Sequence, residues 1–453
     1  AIRLLEEADR LRPAQPNLMT ALGVACYRAK RYVQAEATGR RVLAIEPLHV
    51  EARLLLGTIL HAEGRYDEGI ALLEELLPHA PRNATLHCSL GSLHHSARHL
   101  DASALHYRES LRLESDKSLP RLLYSLLLLS TGKFEEGWRE YSHRFDASSS
   151  APSPRASASQ WKGEPLPGGS LLLQHEQGLG DMLQQIRYVP LIEDRLSPQG
   201  SPHRATLYVM CQPALLRLLR RNLPRVRVID ADEAVPLHDS FTRACSLFDL
   251  PAIFHPKDAA PATPVPYLSA RNTPRPLSSS SHHRPLVGLA WTGNRAHYRD
   301  KFRSLPLALL APLLQVPGVT FVSLQVGEDG LANISPPSTL TMLDPTPEIA
   351  DYDDTAAVMA DLDLVITVDT STAHMAGALG RPTWVLIPTD PDWRWMYDRV
   401  DSPWYPTMRL YRQHQGEGWP AVVGRMASDL VDWVQQRTDA SGSRGTTPGE
   451  CAA

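Results

Sequence analysis

The sequence predicts an α plus α/β protein, with paired helices over the first third and alternating strands and helices after it. Three observations carry that expectation. Pro13, Pro47 and Pro81 recur every 34 residues, and Gly23, Gly57 and Gly91 keep the same period. The apolar runs Ser170–His175 and Leu362–Val368 each end in a polar turn that opens a helical segment. Two Ser/Pro-rich stretches, near residues 147–159 and 261–284, then divide the chain where a linker is expected.

The helical third is read from its period. Leu22-Gly23, Leu56-Gly57 and Leu90-Gly91 share one phase, and Tyr32 and Tyr66 share another. A 34-residue period with Leu-Gly, an aromatic and a closing Pro is the tetratricopeptide pattern of antiparallel helix pairs. A fourth unit begins near Ser118, with Ser125 in the glycine position and Phe134 and Tyr141 as aromatics. Each pair buries its apolar face only against neighbours, so the array is expected to curve into a superhelix with a concave binding face. Pro13 closes a unit whose first helix would precede residue 1, and the chain does not begin with Met. Further repeats upstream are therefore expected.

Beyond the repeats, strands are predicted at Ser170–His175, Ala205–Met210, Val226–Ile229, Pro285–Trp291, Val319–Gln325, Leu362–Val368 and Thr383–Pro388. A helix is predicted from Pro213 to Arg221. Alternation of this kind builds parallel sheets covered on both faces, with ligands at the carboxyl ends of the strands. The domain map is repeats over 1–146 (the first incomplete), a linker over 147–168, a Rossmann-like domain over 169–275, and a second linker over 276–284. A second Rossmann-like domain covers 285–436, and a disordered tail covers 437–453.

Two turns are the candidate site. Asp369-Thr370-Ser371-Thr372-Ala373-His374 follows the apolar run and opens a helix, so backbone N–H groups and the helix dipole would face an anion such as phosphate. An ordinary N-cap uses the same residue types. In Glu176-Gln177-Gly178-Leu179-Gly180-Asp181, Gly178 and Gly180 let the backbone approach a ligand closely, and Asp181 starts the helix. The dinucleotide fingerprint is not matched, since its third glycine and its downstream ribose-binding acid have no clear place in this turn.

Taken together, Glu176–Asp181, Trp291-Thr292-Gly293-Asn294 and Asp369–His374 resemble the heptosyltransferase-like (family 9) glycosyltransferases. The chain is most similar to bacterial proteins that fuse tetratricopeptide repeats to such a domain. Phe134–Tyr141 resembles their repeat-to-enzyme junction, and Pro391-Asp392-Trp393-Arg394-Trp395 resembles their C-terminal part. The resemblance implies a GT-B fold and an inverting, metal-independent transfer from a nucleotide-sugar, with no other cofactor. It places Asp181 as the base that deprotonates the acceptor hydroxyl, with His175 and Glu176 as alternatives in the same turn. It places Asp369, Thr370, Ser371, Thr372 and His374 on the donor diphosphate. Gly293, Asn294, Lys301, Arg303 and Ser304 would supply further donor contacts, and Ser323 and Gln325 would lie near the nucleotide base, with a structural role favoured for Gln325.

Composition excludes other classes. The net charge of −4 gives no argument for nucleic acid or an anionic membrane surface. No apolar run approaches the roughly 20 residues that span a bilayer. Cys26, Cys88, Cys211, Cys245 and Cys451 show no close pairing, which points to free thiols and a cytoplasmic setting. Asp351/Asp353 and Asp361/Asp363 have the spacing of metal carboxylates but read as loop and helix-edge charges. His94-His95 and His282-His283 lack partners for a zinc site, and Trp393 and Trp395 read as core aromatics. The repeats imply a protein acceptor or partner. The phase of a backbone-gripping Asn ladder is occupied by Ala21, Leu55, Ser89 and Leu123, so apolar recognition of a folded or helical partner is expected instead. A repeat scaffold carrying an idle transferase domain, or a transferase acting on glycan or lipid, would share these features.

Overall fold

The computed structural model describes residues 1–144, 159–196, 203–234, 241–254, 257, 264–271, 284–297, 299–327, 329–331 and 342–442. The chain divides into two compact units, Ala1–Ser153 and Pro154–Ala453. The Ser/Pro-rich segments read as linkers fall mostly outside the described residues, as do His282, His283, Cys451 and the tail from 443.

The first unit is helical throughout: α1 (Ile2–Leu11), α2 (Pro16–Arg28), α3 (Tyr32–Ile45), α4 (Val50–Glu63), α5 (Tyr66–Glu74), α6 (Ala84–Ser96), α7 (Leu100–Leu113), α8 (Ser118–Ser130) and α9 (Phe134–Tyr141). Helices α2/α3, α4/α5, α6/α7 and α8/α9 pack as the antiparallel pairs that the period predicts. The periodic glycines are contact points. A Cβ on Gly57 would sit 2.8 Å from Leu73 of the paired helix, and one on Gly91 would sit 2.7 Å from the Tyr107 ring. A second small position, not read from the sequence, recurs on the second helix of each pair as Ala35, Gly69, Ser103 and Gly137. Ala35 and Ser103 are fully buried, and Ser103 Oγ donates to Gly91 O at 2.7 Å. A third periodic contact ties helix to preceding loop: Arg53 Nε donates to Pro47 O at 2.8 Å, and His87 Nε2 lies 3.1 Å from Pro81 O.

Between α6 and α7 lies a histidine stack. His87 Nδ1 is 3.0 Å from His106 Nδ1, and His106 stacks on His94 at 5.4 Å with the rings 5° apart. His94 Nδ1 is 3.3 Å from His99 Nδ1. Among the described residues no group of histidines, cysteines and carboxylates is placed to hold a metal ion.

The second unit contains two wholly parallel sheets. The first has β1 (Ser159–Gln160), β2 (Ser170–Gln174), β3 (Thr206–Met210), β4 (Arg227–Ile229) and β5 (Arg243–Ser246) in the order β1-β5-β2-β3-β4. The second has β6 (Leu286–Ala290), β7 (Thr320–Ser323), β8 (Met342–Leu343), β9 (Leu364–Val368), β10 (Thr383–Ile387) and β11 (Met408–Arg412) in the order β11-β10-β9-β6-β7-β8. Their helices are α10 (Leu179–Gln185), α11 (Val189–Leu196), α12 (Leu216–Asn222), α13 (Ala231–Ala234), α14 (Leu250–Phe254), α15 (Asp300–Arg303), α16 (Ala311–Leu314), α17 (Tyr352–Met359), α18 (Ser371–Ala378) and α19 (Trp419–Gly442). Strands β6 and β9 are buried along their whole length, which is why they read as continuous apolar runs.

Several details add to the sequence reading or differ from it, beginning with β5, β8 and β11, which it did not predict. Strand β1 lies inside the segment read as linker, because Ser159 and Gln160 pair with Arg243 and Ala244 and the next residue, Trp161, is fully buried. Helix α19 runs past residue 436 into the segment read as tail, carried by its apolar stripe Val422, Val423, Met426 and Leu430 against the second sheet. The carboxylates of 351–354 do lie at a helix edge, the start of α17, and they are also held there by partners. Asp351 caps α17, Arg221 pairs with Asp353 at 2.7 Å, and Asp354 takes Arg217 at 3.2 Å and Arg271 at 2.9 Å. Burial works against the Asp354 carboxylate, yet the Ala350 N–H and these arginines hold it below its ordinary range. This cluster joins α12 of the first sheet to α17 of the second, and one apolar core containing Leu171, Leu173, Val365 and Met375 runs between the sheets.

Candidate functional site

The turns after β2 and β9 meet. Gly180, in the first turn of α10, lies so close to α18 that a Cβ there would sit 2.7 Å from His374 Cδ2 and 3.3 Å from Ser371 Cα. The glycine therefore serves helix-to-helix approach, which is a different use from the ligand approach expected of it. Gly178 is exposed, and its N–H donates to Asp181 Oδ2 at 2.8 Å.

Asp181 is held on both carboxylate oxygens. Gly178 takes Oδ2, and Arg394 takes Oδ1 in a close ion pair. Burial nevertheless raises the carboxyl above its usual range; Arg394 opposes that rise, while Asp392 adds to it. Arg394 is itself only 4% exposed. Its Nε donates to Gln184 Oε1 at 2.6 Å and Nη1 to Asp392 at 2.8 Å, while its plane lies 4.5 Å from the Trp393 ring. His175 is partly buried, its Nδ1 has no hydrogen-bond partner among the described residues, and burial lowers its pKa. Glu176 accepts a close hydrogen bond from Ser246 Oγ.

The donor turn divides into inward and outward residues. His374 faces inward, with its Nδ1 2.9 Å from Tyr405 Oη and its ring stacked on Trp395 at 5.5 Å. Burial, then the charge of Arg394, pushes its pKa down to about 3, so the imidazole is neutral. Its ring is engaged in the packing of the turn through Tyr405 and Trp395. Asp369 is buried as well; desolvation and nearby Asp392 lift its pKa to about 6 against Arg303. Ser371 Oγ is 2.5 Å from Tyr352 Oη. Thr370 and Thr372 are partly exposed, and their hydroxyls make no hydrogen bond among the described residues.

The turn after β6 joins the same place through Arg303, whose Nη1 donates to Asp369 O at 2.9 Å. Gly293 makes room for it, since a Cβ there would sit 2.8 Å from the guanidinium. Ser304 is committed to the fold: its Oγ accepts from Gly293 N at 2.8 Å and donates to Asp300 at 2.7 Å. Asn294 caps its own turn by accepting from Ala296 N at 2.9 Å. Lys301 is exposed and lies over the Phe302 ring. Ser323 is fully buried. Gln325 Oε1 takes the N–H groups of Trp291 and Thr292, both at 3.0 Å, which is the structural role favoured for it. Arg394, Gln184, Tyr405 and Tyr352 were missed as members of this cluster. Of these, only Arg394 lies in a run that the resemblance marks, Pro391–Trp395, and without a role of its own.

Two family models described as tetratricopeptide repeat match residues 1–47 and 34–89, and the first unit is built of these repeats. Protein FlbA of Caulobacter vibrioides is 27% identical over 500 residues, covering 96% of this chain and 81% of that protein. Cellulose synthase operon protein C of Pseudomonas fluorescens is 28% identical over 138 residues, 29% of this chain and 11% of that protein. Among solved structures, a thermophilic tetratricopeptide repeat protein of Thermus thermophilus is 21% identical with a TM-score of 0.30. It covers 32% of this chain and 79% of its own. MamA from Desulfovibrio magneticus RS-1 is 19% identical with a TM-score of 0.28, covering 31% of this chain and 78% of its own. No helix among the described residues is long and apolar enough to cross a membrane.

Proposed function

We propose that this chain binds a protein through its repeats and that its second unit is a GT-B glycosyltransferase acting on a hydroxyl of that partner. The protein-binding half follows from the repeats, since stacked helix pairs present an extended surface. The transferase half rests on one observation: the β2 and β9 turns converge, bringing Asp181, the α18 N-terminus with its Thr370 and Thr372 hydroxyls, and Arg303 and Arg394 to one place.

In this reading the nucleotide-sugar phosphates lie at the start of α18, beside the two arginines. The acceptor oxygen bonds to the anomeric carbon as the carbon–oxygen bond to phosphate breaks, inverting that centre. The electron pair leaves with the nucleotide, and the hydroxyl proton passes to Asp181. The arginines and the helix dipole stabilise charge growing on the leaving phosphate. Neutral His374 fixes the turn without adding charge.

A second reading is favoured by the engagement of both Asp181 oxygens, which suits a helix cap better than a poised base. There the unit is catalytically idle and the protein is an interaction scaffold, the reading to which the repeat matches lend direct support. The two separate in a panel of UDP, GDP, ADP and CMP sugars, followed by thermal shift and by release of free nucleotide. A ligand at a hundredfold its Kd adds about 2.7 kcal/mol of stability. The transferase reading expects one nucleotide class to stabilise the protein, and its sugar to be turned over by wild type but not by Asp181→Asn. No stabilisation and no turnover with any donor would leave the scaffold.

A further inference from the structure

Arg394 is the most constrained charge of this site. It is buried, with its guanidinium 4.5 Å from the Trp393 ring and 5.5 Å from the Phe248 ring, and it is shared among Asp181, Asp392 and Gln184, the first of which lies 213 residues away in sequence. Its charge also acts on Asp369 and His374 at the start of α18. One cation therefore serves two carboxylates while standing beside the turn that would receive phosphate. Its surroundings hold unused hydrogen-bonding capacity. Gln184 and Gln185 are both fully buried on α10, yet Gln184 Nε2 and both amide atoms of Gln185 lack partners among the described residues. Buried amides left in that state are costly and call for a partner.

We propose that Arg394 is a donor-responsive clamp on Asp181. Phosphate of an arriving nucleotide competes for the guanidinium fork, a stronger charge-assisted partner than a carboxylate already crowded by Asp392. Asp181 is then released to meet the acceptor hydroxyl, while Gln184 and Gln185 take up sugar or phosphate oxygens. The clamp makes binding ordered, donor before acceptor, and keeps the base paired until a donor is in place. Arg394 acts here as a positioning residue on Asp181, and this inference rests on the transferase reading.

The test is isothermal titration of the full chain with UDP, GDP, ADP and CMP, comparing wild type, Arg394→Gln, Arg394→Lys and Asp181→Asn. Competition expects the nucleotide that binds wild type to bind Arg394→Gln about tenfold or more weakly. It expects Asp181→Asn to bind the same nucleotide about fivefold or more tightly, since removing a competitor is a favourable coupling. A merely structural arginine gives no reason for the second change. Unaltered affinity in Arg394→Gln overturns the clamp but leaves the transferase reading standing. Unaltered or weaker affinity in Asp181→Asn overturns the competition. Absence of binding by wild type overturns both. If Arg394→Gln fails to fold, Arg394→Lys keeps the charge without the fork, and Asp181→Asn, with Arg394 in place, decides alone.

Discussion

Acidification from pH 7 to pH 5 will loosen the α6/α7 pair while the neighbouring repeats hold. His106 is 8% exposed and faces His87 at 3.0 Å and the stacked ring of His94. Burial first, then the charges that His87 and His94 would carry, push its pKa down from 6.5 to about 4. His94 is lowered too, by burial and by His99, with Glu74 at 3.9 Å pulling the other way. On the outer side of the pair, His87 acts on Glu109. For a histidine whose folded pKa is depressed, the unfolded imidazole takes up its proton first as pH falls. The contribution of His106 is thus complete above pH 6.5 and is lost between there and about pH 4. Linkage puts the loss at about 2 kcal/mol at pH 5 and about 3 kcal/mol at pH 4. The measurement is hydrogen exchange of α6 and α7 amides at the two pH values, corrected for intrinsic rates, in wild type and His106→Gln. Equal protection at pH 7 and pH 5, or an unchanged pH response in the variant, would refute the reasoning.

Gly180→Ala places a Cβ 2.7 Å from His374 and 3.3 Å from the Ser371 backbone; it should cost about 1–3 kcal/mol in urea unfolding of the second unit followed by tryptophan fluorescence. His374→Ala leaves a void among Trp395, Tyr405 and α10 and should cost about 2–4 kcal/mol in the same assay. Because it removes the group that Gly180→Ala strikes, the double variant should be less destabilised than the two costs added, which a double-mutant cycle reads directly. Asp353→Ala leaves Arg221 and Arg217 without that carboxylate; since Arg221 is partly exposed, the loss should be about 1–2 kcal/mol and should shrink at high salt.

Much of the fold was legible because its signals are local. The 34-residue period placed α2/α3, α4/α5 and α6/α7, and the buried runs of β6 and β9 stand out because parallel strands are apolar on both faces. Strands β1, β5, β8 and β11 escaped; β1 and β8 have two residues each and exist through their pairing with β5 and β7. The small residues Ala35, Gly69, Ser103 and Gly137 keep the period as closely as the Leu-Gly pairs. They went unread because their chemistry varies while only their size is constant.

The site was half legible. The sequence marked Asp181, Asp369 and Arg303, yet it could not show that Ser304 and Gln325 are spent on the N–H groups of the β6 turn. Nor could it show that His374 turns inward onto Trp395 and Tyr405.

By itself the sequence determined the period of the repeats, the parallel character of the sheets, and which turns open helices, all of which are written as patterns along the chain. Only the tertiary structure decided that two of those turns touch, that Arg394 closes on Asp181, and that the acids near residue 353 tie one sheet to the other. Pairings of that kind depend on distance in space, and nothing in local periodicity or propensity records them.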